Sequence, residues 1–96
     1  MPRDIDLSPA FKRHFKKRAN RRIQKLYRDR LIVFRKNPHD LSLRTHSLKH
    51  DLEGLWSFCL TEDKGRDDYR VIFRKDKNTY VFVDFGTHDQ LYRPWR

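Results

Sequence analysis

Two alternating runs near the C-terminus carry a clear hydrophobic pattern. In Tyr69–Arg74, Tyr69, Val71 and Phe73 alternate with Arg70, Ile72 and Arg74; in Thr79–Phe85, Val81, Val83 and Phe85 alternate with Tyr80, Phe82 and Asp84. Period-two placement of β-branched and aromatic residues around the polar connection Lys75–Asn78 predicts a β-hairpin. Upstream, Leu55–Thr61 (LWSFCLT) reads as a short apolar strand with Trp56, Phe58 and Leu60 on one face, and Glu62–Asp67, with Gly65, as a charged turn.

The first half has a longer period. Ile5–Leu7 is a candidate first strand, and Ser8-Pro9 is a helix start, with Ser8 as N-cap and Pro9 at the first helical position. Phe11 and Phe15 lie one turn apart. A bend is expected at Ala19-Asn20, after which Ile23, Leu26, Tyr27, Leu31 and Phe34 recur at helical spacing. Asn37-Pro38 ends this second helix, because proline disfavours helical geometry at the residue before it. The polar segment His39–Gly54 has Leu41, Leu43, Leu48 and Leu52 as apolar anchors and is compatible with a strand through Leu43–Leu48 or with an ordered loop. Pro94 forbids further regular pairing at the C-terminus. The expected fold is α+β: an N-terminal strand and a two-helix hairpin packed on one face of a twisted, mainly antiparallel four-stranded sheet, in β-α-α-β-β-β order. At 96 residues it forms one domain spanning 1–96.

Charge changes this picture. The formal net charge is +10, and Phe11–Lys36 alone holds twelve Lys or Arg against one acid, Asp29. That segment therefore carries +11 and the remaining 70 residues about −1. Like charges one turn apart, such as Lys12/Lys16 and Arg18/Arg22, weaken a helix, and a merely solvated face mixes its signs. Lys16, Lys17, Arg18, Arg21, Arg22 and Lys25 are thus candidate contacts for RNA phosphates or an acidic protein. The single cysteine, Cys59, excludes an internal disulfide and fits a reducing compartment. No apolar run approaches the ~18 residues of a membrane span, and the N-terminus lacks a signal-peptide core, so a cytoplasmic location with no membrane partner is expected.

Phosphate-binding glycine patterns and HExxH or CxxC metal spacings are absent from the sequence, and neither a metal nor a cofactor is expected. What remains is a dispersed set: His46, Lys49, His50, Asp68, Arg70 and His88. Two histidines and an arginine are the parts required for metal-free RNA cleavage, one group taking the ribose 2′-hydroxyl proton, an arginine steadying the phosphorane charge, another protonating the departing 5′-oxygen. Histidines and strand arginines also serve ordinary hydrogen bonding and ion pairing, so residue types alone leave both readings open.

The block His46–Trp56 (HSLKHDLEGLW), the run TEDxxxxDYRVIF and the ending GTHDQLY together resemble the RelE/ParE toxin superfamily, most of all its YafQ- and YoeB-type mRNA interferases. The resemblance covers nearly the whole chain. It implies a toxin of a type II toxin–antitoxin module that cleaves mRNA in the ribosomal A site without a metal and is silenced by a cognate antitoxin. Its partners would be that antitoxin, ribosomal RNA and mRNA. By this resemblance His46 falls at a YafQ-type base, Asp68 at an aspartate preceding an aromatic residue, Arg70 at a phosphate-binding strand arginine, and His88 at the general acid. Tyr92 falls at a base-stacking aromatic, and Lys49 and His50 become candidate RNA contacts. Two positions depart from the YafQ pattern: Cys59 stands near a family histidine and Asp84 at a family arginine, which leaves Arg70 as the main cation. The alternatives are a ParE-like DNA gyrase poison without nuclease activity and a non-catalytic basic RNA-binding module.

Overall fold

The computed structural model describes residues 4–49, 52–61, 69–87 and 90–91. The elements are β1 (Asp4–Leu7), α1 (Pro9–Arg18), α2 (Arg21–Lys36), a 3-10 turn at Leu41–Leu43, β2 (His46–Ser47), β3 (Trp56–Cys59), β4 (Tyr69–Asp76) and β5 (Thr79–Thr87). The strands form one sheet in the order β1-β5-β4-β3-β2, with β1 parallel to β5 and the remaining neighbours antiparallel. The α+β architecture is the expected one, with a fifth strand. That strand is the two-residue ladder His46↔Ser57 and Ser47↔Trp56, drawn from the polar segment that the sequence left open between strand and loop.

Both helix starts follow from local chemistry. Ser8 Oγ accepts from the Phe11 amide at 3.0 Å, and Asn20 Oδ1 accepts from the Ile23 amide at 2.9 Å, satisfying donors that a helix leaves unpaired. Asn37 closes α2 one residue before Pro38. The core forms where α1 and α2 place Phe11, Ile23 and Phe34 against Phe58, Leu60, Val71, Phe73, Phe82 and Phe85 of the sheet, all essentially inaccessible to solvent. The Phe34 ring lies 5.0–5.3 Å from the rings of Phe58, Phe73, Tyr80 and Phe82, distances at which tilted and edge-on aromatic pairs attract.

Three expectations are corrected. The hairpin connection is only Lys77-Asn78, because Asp76 pairs with Thr79 and both strands extend further than the alternation suggested. Lys77 adopts φ +53° to make so tight a turn. Second, the alternation in β5 is broken. Phe82 and Phe85 are both buried in the core although three residues apart. The register runs Ile72↔Asp84 and then Phe73↔Phe82, so Val83 is an extra residue and the bulge returns both rings to the helix side. Third, Leu41 is not an anchor: it is 93% exposed while Leu43 is fully buried. Asp40 caps the 3-10 turn through the amide and hydroxyl of Ser42, hydrogen bonds that hold its carboxyl below the usual carboxylate range. The turn then directs one leucine inward and the other outward. Among the described residues no helix is long and apolar enough to cross a membrane.

Candidate active site

Cross-strand register decides which side chains share a face, since residues directly opposite in an antiparallel pair project to the same side. Phe58↔Val71 and Val71↔Phe85 point to the helices. His46↔Ser57, Cys59↔Arg70, Ser57↔Ile72 and Arg70↔Gly86 therefore project to the other face. His46 and Arg70, chosen from sequence 24 positions apart, thus occupy one side of the sheet. They stand two strands apart laterally and two residues apart along β3, a Cα separation of about 12 Å from standard sheet spacings. Two long side chains rooted that far apart can close on one nucleotide linkage.

The ring of His46 is oriented by its neighbours. Nδ1 lies 3.0 Å from the Arg44 carbonyl, which can only accept, so Nδ1 carries the hydrogen. Nε2, the other ring nitrogen, lies 3.3 Å from the Ser57 hydroxyl. Arg44 can offer its carbonyl this way because it leaves the 3-10 turn in the left-handed conformation, φ +52°. Ser57 itself is completely buried in β3 and holds the imidazole from beneath. An imidazole whose Nε2 makes only this long contact is placed to exchange a proton there.

Arg70 is half-buried on β4 opposite Gly86. The other residues named from sequence divide into three sets. Asp68, His88, Tyr92 and His50 lie outside the described residues. Lys49 is exposed but is not brought to Arg70. The ladder continues past β2 through the Leu48 amide to the Leu55 carbonyl at 2.9 Å, carrying Lys49 away from Arg70 towards the turn at Gly54. There it lines a cleft of about 500 Å³ with Ser47, Leu48, Glu53, Gly54, Leu55 and Trp56. The third set is the basic helical surface, where Lys16, Lys17, Arg21, Arg22 and Lys25 are all exposed. Lys16 and Lys17 close α1, where cations complement the helix dipole, but Arg21 and Arg22 open α2, where they oppose it. Their charges therefore gain nothing from the helix dipole.

Arg18 does not belong with that surface. As the last residue of α1 it is half-buried, and its Nη1 donates to the Phe85 carbonyl at 2.8 Å. It completes a seam along the outer edge of β5. Beyond Leu7↔Phe82, where β1 stops, α1 takes over: the Ser8 amide and hydroxyl donate to the carbonyls of Phe82 and Val83 at 3.0 and 2.8 Å, and His14 Nδ1 meets Asp84 Oδ1 at 2.5 Å. The helix thereby covers an edge that would otherwise present unpaired backbone groups.

Four features escaped the sequence reading. Ser57 was hidden in an apolar run, and Arg18 was grouped with the exposed cations. The His14–Asp84 pair joins residues 70 positions apart. The fourth was legible: Thr87 Oγ1 accepts from the Gln90 amide at 3.3 Å while Gln90 Oε1 accepts from the Thr87 amide at 2.9 Å. The spacing Thr-x-x-Gln is a capping box, and Gln90 and Leu91 are helical. Among the described residues no group of three or more His, Cys, Asp or Glu is placed to hold a metal ion.

No protein-family profile matches the sequence, and no curated protein matches it. Solved structures do match its fold. YafQ from Escherichia coli superposes with a TM-score of 0.67 at 20% identity, covering 94% of this chain and 98% of that one. The YoeB/ParE toxin from Agrobacterium tumefaciens gives 0.69 at 16% identity, over 88% and 98% of the two chains. The toxin–antitoxin complex RelBE2 from Mycobacterium tuberculosis gives 0.67 at 18% identity, over 92% and 93%. The chain has the RelE-like fold that these toxin structures share.

Proposed function

We propose that this protein is the toxin of a toxin–antitoxin module and acts as a metal-independent, ribosome-dependent mRNA endoribonuclease. The observation that carries this reading is the pairing, on the sheet face away from the helices, of an Nδ1-protonated His46 with Arg70. The similarity in fold to a YafQ chain solved with DinJ as a toxin–antitoxin complex supports it, as does the +11 helical segment.

In the proposed reaction His46 Nε2 takes the proton of a ribose 2′-hydroxyl, displacing the weak Ser57 contact. The 2′-oxygen attacks the adjacent phosphorus, and the P–O5′ bond breaks to leave a 2′,3′-cyclic phosphate. Arg70 holds the non-bridging oxygens as negative charge accumulates on them. The 5′-oxygen leaves with a proton from a second acid, for which the sequence offers His88, directly after β5. The exposed cations of α1 and α2 hold ribosomal RNA phosphates, and the same basic surface suits an acidic antitoxin.

The test is induction of the wild-type chain, His46→Gln, Arg70→Gln and His88→Ala in a bacterial host, with growth and mRNA 5′ ends followed together. Wild-type protein should arrest growth and cut mRNA at in-frame, translation-dependent positions. Each substitution should lower cleavage by about 10²–10⁴-fold, the usual contribution of an acid, base or oxyanion group. Arrest with intact mRNA and DNA-damage signalling would replace this reading with gyrase poisoning. RNA binding without cleavage or arrest would reduce the protein to a binding module.

A further inference from the structure

The seam between α1 and β5 ends in a contact that edge protection does not require. Capping the Phe85 carbonyl needs one N–H, yet the residue supplied is a charged guanidinium that goes on over Gly86. An ideal Cβ built on Gly86 would lie 2.7 Å from Arg18 Nη1. Gly86 is the cross-strand partner of Arg70, so that Cβ direction belongs to the same face as the Arg70 side chain. Arg18 therefore reaches from the helix layer around the end of β5 and brings Nη1 to Gly86, the residue opposite Arg70. The two residues converge on one glycine, with the Cα atoms of Arg70 and Gly86 about 5 Å apart as antiparallel partners. The missing side chain at Gly86 is what leaves room for this.

We propose that Arg18 is a phosphate-binding residue of the cleavage site, forming with Arg70 a two-arginine clamp for the non-bridging oxygens of the scissile phosphodiester. The substrate chemistry rests on the nuclease reading above; the placement of Arg18 does not. Among the described residues the Phe85 carbonyl is the one hydrogen-bond partner of its guanidinium. That bond uses one donor of a planar fork suited to bidentate phosphate contact and orients the rest. The geometry also accounts for how the sheet manages with Asp84 in β5: its carboxylate is turned to His14 and to the Phe85 amide, at 2.5 and 2.7 Å, while the cation at this end of the strand comes from α1.

The decisive experiment compares wild type, Arg18→Gln and Arg18→Lys in single-turnover cleavage of ribosome-bound mRNA with either a normal or a phosphorothioate linkage at the cut site. Thermal unfolding is measured alongside. Arg18→Lys keeps a long cationic donor for the Phe85 carbonyl, so a purely structural role predicts near-wild-type cleavage for Lys and, for Gln, a loss that follows its melting temperature. The clamp predicts a loss of about 10²-fold for Gln, a smaller loss for Lys, and a reduced thio effect in both. Wild-type-like cleavage by Arg18→Gln, or a rate loss that follows the melting temperature and leaves the thio effect unchanged, overturns the proposal. A second measurement separates this from failure of the nuclease reading. A trinucleotide with 2′-deoxyribose at the cut site is titrated while the Gly86 amide is followed by NMR. Should wild-type protein cut no mRNA, a Gly86 shift present in wild type and absent in Arg18→Gln sustains the anion site and rejects the activity. Absence of that shift in wild type rejects the site.

Discussion

Replacing Gly86 by alanine inserts one methyl group where α1, β5 and the Thr87–Gln90 box meet. The new Cβ would stand 2.7 Å from Arg18 Nη1, 2.9 Å from Gln90 Oε1 and 3.2 Å from Gln90 Cβ. Relaxed contacts begin at about 3.5 Å, so the guanidinium, the far end of a flexible side chain, must shift. Complete loss of its charge-assisted bond to the Phe85 carbonyl, about 1.5–3 kcal/mol, is the upper bound of the cost. Gly86 does not have a positive φ, so alanine fits the backbone and recovers about 0.4–1 kcal/mol by restricting the unfolded chain. The balance is a destabilisation of at most about 2 kcal/mol, with a fall in Tm of about 4–8 °C per kcal/mol for a domain of this size. Urea and thermal unfolding of wild type, Gly86→Ala, Arg18→Ala and the double variant close a thermodynamic cycle. With Arg18 already truncated, only the flexible Gln90 opposes the methyl, and Gly86→Ala should cost less than about 0.5 kcal/mol, giving a coupling near 1 kcal/mol. Coupling within the ~0.3–0.5 kcal/mol expected of independent sites, or a Gly86→Ala protein more stable than wild type, would refute the packing on which the arginine clamp depends.

Two further outcomes follow from local geometry. Lys77 sits at φ +53° in a two-residue hairpin, a conformation that costs a side-chain-bearing residue about 1–2 kcal/mol; Lys77→Gly should raise stability by about 0.5–1 kcal/mol in urea unfolding after its own entropic cost, and a loss would contradict the strain. Burial pushes the Tyr27 hydroxyl up to about 12 from its ordinary 10.0, with Arg35 pulling weakly the other way. The folded state therefore holds this proton more tightly, and the associated stability is complete below pH 10 and lost as pH rises from 10 towards 12. The difference in stability between wild type and Tyr27→Phe should change across that window and stay flat between pH 6 and 9; a flat difference throughout would show the hydroxyl to be solvated.

The helices, strands β1, β3, β4 and β5, and the charge asymmetry were legible in the chain because each arises from neighbours in sequence. Ser8 and Asn20 cap helices through amides three residues away, and apolar periodicity marks which face of an element is buried. Periodicity could not anticipate the bulge at Val83, since an extra residue in β5 is defined only by what β4 places opposite it. Nor could it separate Leu41 from Leu43, because a 3-10 turn follows neither the helical nor the strand repeat. His46 and Arg70 were recognisable as candidates by residue type and by resemblance, but their common face comes from two successive registers, His46↔Ser57 and Cys59↔Arg70. The orientation of the His46 ring depends on a carbonyl two residues back and a hydroxyl eleven residues on. Arg18 shows the division most plainly. In the chain it is one of twelve cations in a basic segment; only the end of β1, the path of α1 along the exposed edge of β5 and the absent side chain of Gly86 bring it to the residue opposite Arg70. Local sequence determined which elements form and where charge accumulates, while long-range pairing determined which charges meet, because a side chain's direction is settled only when its strand acquires a partner.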